Sequence, residues 1–374
     1  MDETGVTETE VLGLLRRIKE RDMPFERILS SMCTMPHPLA IQAHMEFIET
    51  NLGDPTLFPG TKGLEESVIA MLSALLHAPN AHGYITTGGT ESNIQAIRAA
   101  RNLSGKKNPN VIVPGSAHFS FDKAADILGI KIKKAQLDES LKVDPASVEM
   151  LIDENTIALV GTAGTTEFGQ VDPIDELSKI ALSRDIFLHV DAAFGGLVIP
   201  FLEEEYPFDF KVKGVSSLTI DPHKMGAGTI PSSALLFRDE ACLGALATST
   251  PYLASRMQHT LAGTRTGASI AATYAVFKHL GQSGYKRIVA RCMKLVSMIE
   301  KRVADMGIPL VIQPVTNVIA LRVDSPEEVA SKLRERNWYV STTLRPKSLR
   351  LVIMPHITEE ILNTFLTDLR EILG

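Results

Sequence analysis

The sequence predicts an α/β fold with a mostly parallel, seven-stranded sheet that carries helices on both faces, followed by a smaller C-terminal α+β domain. Seven short runs of apolar and β-branched residues alternate with helical patterns through the first two thirds of the chain. Strands that alternate with helices pair in parallel, and the helices cover both faces of the sheet. The length of 374 residues is sufficient for a deep core and a second domain.

We expect three parts along the chain. Residues 1–62 form an amphipathic helix and an arm punctuated by proline. Residues 63–279 form the large α/β domain, and residues 280–374, after a glycine-containing break, form the small α+β domain. The predicted strands of the large domain are GYITT (83–87), NVIVP (110–114), IKIKKA (130–135), TIALVGT (156–162), IFLHVD (186–191), VSSLTID (215–221) and ALLF (234–237).

Composition excludes several classes of protein. The formal charge is −6 and the basic residues are scattered, so nucleic acid and anionic membranes are not expected partners. The sequence has no apolar run long enough to span a bilayer and no apolar leader, so we expect a cytoplasmic protein. Cys33, Cys242 and Cys292 lie far apart, which indicates reduced thiols and neither a disulfide framework nor a metal site.

The stretch SSLTIDPHKMGAG (216–228) places Lys224 just after a predicted buried strand. A lysine that forms an imine with an aldehyde must be neutral to attack, and burial beside cationic or polar groups lowers its pKa in the required direction. Taken alone, a lysine in this position is more often one that reaches water from the end of a strand.

The stretch IFLHVDAAFGG (186–196) ends another strand in Asp191. A buried aspartate is costly unless it meets a positive partner. A protonated pyridine nitrogen is one such partner, and the pairing keeps the ring an electron sink. A helix cap or a magnesium ligand explains Asp191 equally well. Ala193 offers a small flat surface beneath a ring.

The stretch TTGGTESNIQAIRAAR (86–101) reads as a strand, a glycine turn and a helix. Free N–H groups at the helix start, with the hydroxyl of Thr90, suit an anion, although a helix capped through Glu91 is the alternative. The pattern is neither a dinucleotide fingerprint nor a P-loop. His118 follows a further strand tip and could stack on a cofactor ring, although a lone histidine is more often structural.

Together, GGTESN, His118, GTAGTTEFGQVDP, HVDAAFGG and DPHK resemble, in order and spacing, the group II decarboxylases of fold type I, which use pyridoxal phosphate. The segments SMCTMPHPLAIQAH, ETNLGDPTLFPGTKGLE and TLAGTRTGASIAATYAVFKHLG resemble the archaeal L-tyrosine/L-aspartate decarboxylases. The resemblance implies that the large domain binds pyridoxal 5′-phosphate. It also implies that the chain decarboxylates an amino acid, supplying tyramine for methanofuran or β-alanine for coenzyme A.

The same resemblance assigns site residues. Lys224 is the imine lysine, Asp191 faces the pyridine nitrogen and His118 stacks on the ring. Thr165 or Thr166 lies near the ring hydroxyl. Further contacts to the phosphate or ring are implied for Gly89, Thr90, Ala193, Ser217 and His223. Gly263 and Thr264, in the loop that reaches a neighbouring subunit in this family, imply a homodimer with shared active sites.

Substrate contacts are the least determined part of the prediction. Arg350 matches a position that often holds a substrate carboxylate, although a rim arginine paired to an acid is the alternative. His37 is a second candidate for substrate contact, and Tyr252 is a candidate to protonate Cα. Asp221 stands where aromatic decarboxylases have asparagine, and Met225 replaces their usual aromatic residue. Glutamate decarboxylation, transamination, carbon–carbon cleavage and a non-catalytic scaffold remain alternative functions.

Overall fold

The N-terminal part of the chain consists of three helices and an arm. The computed structural model describes residues 3–374, beginning with α1 (Glu8–Lys19), α2 (Pro38–Glu46) and α3 (Pro59–Leu75). A capping box starts α1, because the Thr7 hydroxyl accepts the Glu10 N–H and the Glu10 carboxylate accepts the Thr7 N–H. All residues of α1 remain at the surface of the described chain.

The large sheet contains seven strands, which correspond to the seven predicted runs. They are β1 (His82–Thr86), β2 (Asn110–Pro114), β3 (Lys131–Ala135), β4 (Thr156–Thr162), β5 (Phe187–Asp191), β6 (Val215–Ile220) and β7 (Ser233–Phe237). The strand order is β1-β7-β6-β5-β4-β2-β3, and only the two pairings of β7 are antiparallel. The predicted fold class is confirmed.

Helices pack on both faces of this sheet. They are α4 (Gly89–Ser104), α5 (Ser120–Leu128), α6 (Pro145–Leu151), α7 (Ile174–Arg184) and the short α8 (Glu240–Gly244). Val111 and Val113 of β2 belong to a cluster with α4 and α5, whereas Ile112 points into the main core on the opposite face. Because both faces of the sheet are covered, β2 is buried along its whole length and its apolar residues are consecutive, whereas the edge strand β3 is partly exposed.

A long helix leads to the C-terminal part. After the short strands β8 (Thr248–Ser249) and β9 (Met257–Gln258), α9 (Ala268–Asp305) is kinked at Gly281, which has φ 55°. The remaining elements are β10 (Val318–Leu321), α10 (Pro326–Glu335), β11 (Ser341–Leu344), β12 (Lys347–Val352) and α11 (Glu359–Leu373). The strands form an antiparallel sheet of order β10-β12-β11 over a second core.

The arm connects the small sheet to the large one. Leu29 lies in the second core, where its N–H donates to Tyr339 and its carbonyl accepts from Val352. Eight residues later, the His37 N–H donates to the carbonyl of Ala227 at a distance of 2.9 Å. Ala227 lies shortly after Lys224 in the chain. The arm therefore passes beside the turn that carries this lysine. Among the described helices, none has the length and apolar character needed to cross a membrane.

Candidate active site

A cavity of about 650 Å³ opens at the carboxyl ends of β1, β2, β4, β5 and β6. This is the edge at which open α/β sheets bind ligands. Most of the residues singled out in the sequence line it: Gly89, Thr90, His118, Thr166, Asp191, Ala193, Asp221, His223 and Lys224. The side chains come from five separate strand ends, so the fold assembles the cavity from residues more than a hundred positions apart.

Lys224 lies in the turn after β6, and its side chain is 19% exposed. Its Nζ is 3.2 Å from Oδ2 of Asp221. Burial by itself lowers the pKa of the amine, but the charge of Asp221, and then that of Asp191, outweighs burial and raises the pKa above its ordinary value. The sequence predicted a lowered pKa, and the difference arises because two carboxylates lie close to the amine.

Asp191 ends β5 and is buried against the sheet. Its Oδ1 accepts the Ala193 N–H at 3.1 Å, and its Oδ2 accepts Nδ2 of Asn93 at 2.8 Å. Both bonds come from neutral donors, and Asp191 shares one cavity with the amine of Lys224. A buried carboxylate in this setting can pair with a cationic ligand group.

The sequence interpretation missed Asn93 and His189. Asn93 lies in α4, and His189 lies two residues before Asp191 in β5, so that His189 and Asp191 share one face of the sheet. Nε2 of His189 is 3.0 Å from Oδ1 of Asn93, and its Nδ1 is 2.7 Å from Oγ of Ser217. The spacing in HVD was a signal that could have identified the histidine.

The amino end of α4 faces the cavity without a side-chain cap, because the N-cap residue is Gly88. The N–H groups at a helix start without a side-chain cap can bind an anion. Position 89 favours glycine because the Asp221 side chain lies close to the backbone there, and a Cβ would be 2.9 Å from Oδ2 of Asp221. Glu91 also lines the cavity, and its Oε2 accepts the N–H and the hydroxyl of Thr87 at 2.9 and 2.6 Å.

Two histidines complete the lining. Nδ1 of His118 accepts the Ser120 N–H at 3.2 Å, and Nδ1 of His223 accepts the Ser232 N–H at 3.2 Å. Burial lowers the pKa of both imidazoles, opposed by Asp191 at His118 and by Asp221 at His223. Both rings are therefore expected to be neutral at neutral pH, with Nε2 protonated.

Several predicted residues lie away from this cavity. Ser217 is fully buried against His189. Thr165 is also fully buried, and its hydroxyl accepts the Gln170 N–H, whereas the neighbouring Thr166 faces the cavity. Tyr252 is 84% exposed. The lining also excludes Gly263, Thr264, His37 and Arg350.

His37, Gly263 and Thr264 have defined surroundings. The side chain of His37 caps α2, accepting the Leu39 N–H. Gly263 accepts from Gln258, directly after Leu261 and Ala262 at the cavity rim, and Thr264 lies beside Gly53.

Residues 31–322 match the pyridoxal-dependent decarboxylase conserved domain. The chain belongs to the pyridoxal-dependent decarboxylase family. It is 55% identical over 371 residues to the probable L-tyrosine/L-aspartate decarboxylase of Methanothrix thermoacetophila, covering 99% of this chain and 97% of the relative. It is 53% identical to the probable L-aspartate decarboxylase of Archaeoglobus fulgidus, covering 97% of this chain and 99% of that protein.

Solved structures agree with this family at the level of the fold. The sphingosine-1-phosphate lyase of Burkholderia pseudomallei superposes with a TM-score of 0.92 at 28% identity, covering 100% of this chain and 91% of that one. The glutamate decarboxylase of Lactobacillus brevis gives a TM-score of 0.91 at 21% identity, covering 100% and 93%. The present chain is thus an amino-acid decarboxylase of fold type I that depends on pyridoxal phosphate.

The lining of the decarboxylase cavity fits pyridoxal phosphate. It combines a primary amine, a buried carboxylate and the uncapped start of α4. Three buried oxygens of the lining lack a hydrogen-bond partner within residues 3–374: Glu91 Oε1, Thr162 Oγ1 and Asp221 Oδ1. Buried polar atoms are rarely left unpaired, so their presence is consistent with a polar ligand.

Proposed function

We propose that this decarboxylase acts on L-aspartate and L-tyrosine, releasing CO2 together with β-alanine or tyramine. The names of the two archaeal relatives support this choice of substrates. The products would supply coenzyme A and methanofuran synthesis, as the resemblance implies. One structural observation supports recognition of an α-carboxylate, which both substrates share: the guanidinium of Arg350.

Arg350 lies in β12 and is 6% exposed. Its Nη1 donates to the Ser30 carbonyl at 3.0 Å and to the Ser341 hydroxyl at 2.9 Å. Its Nε and Nη2 have no partner in the described chain. Burial lowers the pKa of the guanidinium to about 10, opposed by the charge of Glu167, so it stays protonated at neutral pH. A substrate carboxylate would satisfy both free nitrogens.

The arm connects Arg350 to the turn that carries Lys224. Ser30, which accepts from Arg350, is followed within seven residues by His37, whose N–H bonds the carbonyl of Ala227 beside Lys224. We propose that Arg350 would bind and orient the α-carboxylate of the substrate for its loss as CO2. His37 is assigned to the same wall of the substrate site.

The remaining roles follow from the lining. When bound, pyridoxal phosphate supplies a ring that accepts the electron pair of the broken Cα–carboxylate bond. We assign Lys224 to covalent attachment, Asp191 to keeping the ring nitrogen protonated and His118 to the ring face. The start of α4, through Gly89 and Thr90 and with His223, would hold the phosphate.

A homodimer is part of the proposal. The cavity rim carries exposed apolar side chains, with Phe119 56%, Ile230 62% and Leu261 50% exposed. The helix α1 adds a row of exposed leucines on the same chain. Apolar surface of this kind is typical of an interface. We propose that a second copy of the chain covers the rim and brings its Gly263, Thr264 and proton donor Tyr252 to the neighbouring cavity. A molar mass measured by light scattering should be twice that of one chain.

The test of the substrate proposal is an assay of purified, cofactor-loaded protein with L-aspartate, L-tyrosine and L-glutamate. CO2 and the amine are measured together. We expect equal amounts of both from aspartate and from tyrosine. Release of CO2 from glutamate alone would overturn the proposal and indicate a glutamate decarboxylase. Formation of a keto acid without CO2 would overturn it and indicate transamination. Cleavage of a phosphorylated amino alcohol instead would overturn it and indicate a lyase.

A matched pair of variants tests the role of Arg350. Arg350→Gln should raise KM for both substrates by about tenfold to a hundredfold, because a charge-assisted bond to the carboxylate is lost. The control is Arg238→Gln, since the Arg238 guanidinium is occupied by the carbonyls of Phe210, Val212 and Val215. An equal rise in KM in both variants would show that Arg350 has no specific contact with substrate.

A further inference from the structure

The buried groups behind Asp191 form a continuous chain of side chains. Ser217 contacts His189, His189 contacts Asn93, and Asn93 contacts Asp191, with separations of 2.7, 3.0 and 2.8 Å. All four residues are buried, with exposures between 0% and 6%. Only Asn93 and Asp191 line the cavity, so the other two can influence a ligand there only through them.

The direction of each hydrogen bond is fixed by the carboxylate. An ionised Asp191 can only accept, so the Asn93 atom that faces it must be the amide nitrogen. The second hydrogen of that nitrogen goes to Oγ of Ser120 at 2.9 Å. Oδ1 of Asn93 therefore remains as an acceptor, and it faces Nε2 of His189.

The tautomer of His189 follows from the same reasoning. Its Nε2 must carry hydrogen in order to donate to Asn93. Burial lowers the pKa of His189 to about 4, opposed by the charge of Asp191, so the ring is neutral at neutral pH and its Nδ1 carries no hydrogen. The Ser217 hydroxyl then donates to Nδ1. Thr219 Oγ1 is also 3.5 Å from Nε2, a longer contact that leaves the order unchanged.

We propose that Ser217, His189 and Asn93 are positioning residues that form a one-way hydrogen-bond chain, fixing the Asp191 carboxylate as the acceptor for the cofactor's ring nitrogen. Each member donates toward Asp191, and none adds a charge. Asp191 is thereby oriented from behind by Asn93 while the Ala193 N–H holds its other oxygen. The inference rests on the role proposed above for Asp191, and it assigns a function to His189 and to Ser217.

The first measurement uses the wild-type protein loaded with pyridoxal phosphate and labelled with ¹⁵N-histidine. The His189 signals are identified by their loss in His189→Gln. We expect a neutral ring with hydrogen on Nε2, unchanged from about pH 6 to about pH 8. A ring protonated on Nδ1, or on both nitrogens, overturns the proposal. The tautomer itself is read from the wild-type chain, and the folded His189→Gln variant serves only to assign the signals.

The second measurement is the Kd of the apoprotein for pyridoxal phosphate. Asn93→Asp replaces the donor facing Asp191 with an acceptor of the same shape and should weaken binding by about tenfold or more. Asn110→Asp is the matched control, because Asn110 is also buried and donates to an aspartate, Asp153, at the opposite end of the sheet. It should change Kd by less than about twofold. Equal effects in the two variants overturn the proposal.

A third comparison separates positioning from packing. His189→Gln retains an N–H that can reach Asn93, whereas His189→Leu retains only bulk. We expect glutamine to preserve cofactor affinity better than leucine, and equal losses would overturn the proposal. None of these measurements uses an amino-acid substrate. A chain that shows the expected tautomer and Kd values but does not decarboxylate aspartate or tyrosine would contradict the substrate proposal alone.

Discussion

Two buried asparagines at opposite ends of the large sheet show how the same side chain serves different purposes. Asn93 donates to Asp191 at 2.8 Å at the carboxyl edge, and Asn110 donates to Asp153 at 2.7 Å at the amino edge. Around Asn110 the bonding is complete, because Thr156 donates to its Oδ1 at 2.9 Å and Lys133 reaches Asp153 at 2.7 Å.

Asn93 is also fully bonded, but the cavity that it lines contains unpaired polar atoms. Within the described chain, the nearby lining atoms Thr162 Oγ1 and Asp221 Oδ1 are buried without partners. A complete network contributes to folding, whereas an incomplete one keeps bonding capacity for a ligand at a cost in stability. Substitutions at the carboxyl edge should therefore affect cofactor and turnover, and substitutions at the amino edge should affect stability.

The largest difference between the edges is expected for their lysines. Lys224→Ala should reduce CO2 release by about a thousandfold or more, because the proposed covalent attachment is lost. Lys133→Ala should leave turnover within about twofold, since the Lys133 amine donates to Asp153 and to the Leu151 carbonyl, at the edge opposite the cavity. Rates are measured as CO2 release at saturating cofactor. Normal turnover in Lys224→Ala would refute its assignment.

The aspartates provide the next comparison. Asp191→Asn should lower kcat by about a hundredfold, because the ring nitrogen loses the charge that keeps it protonated. Asp153→Asn at the amino edge should leave kcat unchanged. The readout is kcat for each variant at saturating substrate and cofactor. An unchanged kcat in Asp191→Asn would mean that another acid pairs with the ring.

A smaller effect is expected from Asp221, which raises the pKa of Lys224 together with Asp191. Asp221→Asn removes the stronger of these two attractions, so the pKa of Lys224 falls and more of its amine is neutral at a given pH. Capture of pyridoxal phosphate by the apoprotein should become severalfold faster near neutral pH, and its pH profile should move to lower pH. Stopped-flow absorbance measures both.

The control for Asp221 is Asp209→Asn. Asp209 is also buried, but it pairs with His77 at 2.7 Å, away from the cavity lining. This variant should leave the capture profile in place. Superimposable profiles for Asp221→Asn and wild type would show that Asp221 does not control the amine.

The smallest effect on activity is expected at the amino edge. Thr156→Val removes the hydroxyl that donates to Asn110, leaving a buried acceptor unpaired. The free energy of unfolding should fall by about 1–3 kcal/mol while kcat stays unchanged. Denaturant unfolding and the CO2 assay check the two parts. A loss of kcat without a loss of stability would invert the proposed contrast between the edges.

The sequence predicted the seven strands from short runs of apolar and β-branched residues, and the clearest of these runs, β2, β4 and β7, are buried along their whole length. Lys224 and Asp191 were identifiable because Asp191 ends one such run and Lys224 lies in the turn after another. The chain from Ser217 to Asn93 was not predicted, since it joins residues about a hundred positions apart whose contacts depend on strand order. The raised pKa of Lys224 also depends on the distances to two carboxylates, which spacing alone does not give.

The most direct test is to find the residue that carries the cofactor. The loaded protein is reduced with borohydride, digested and examined by mass spectrometry for a pyridoxyl group. We expect the added mass on the peptide containing Lys224 and on no other lysine peptide. A label on a different lysine, with Lys224 unmodified, would contradict the assignment of the cavity as the site of decarboxylation.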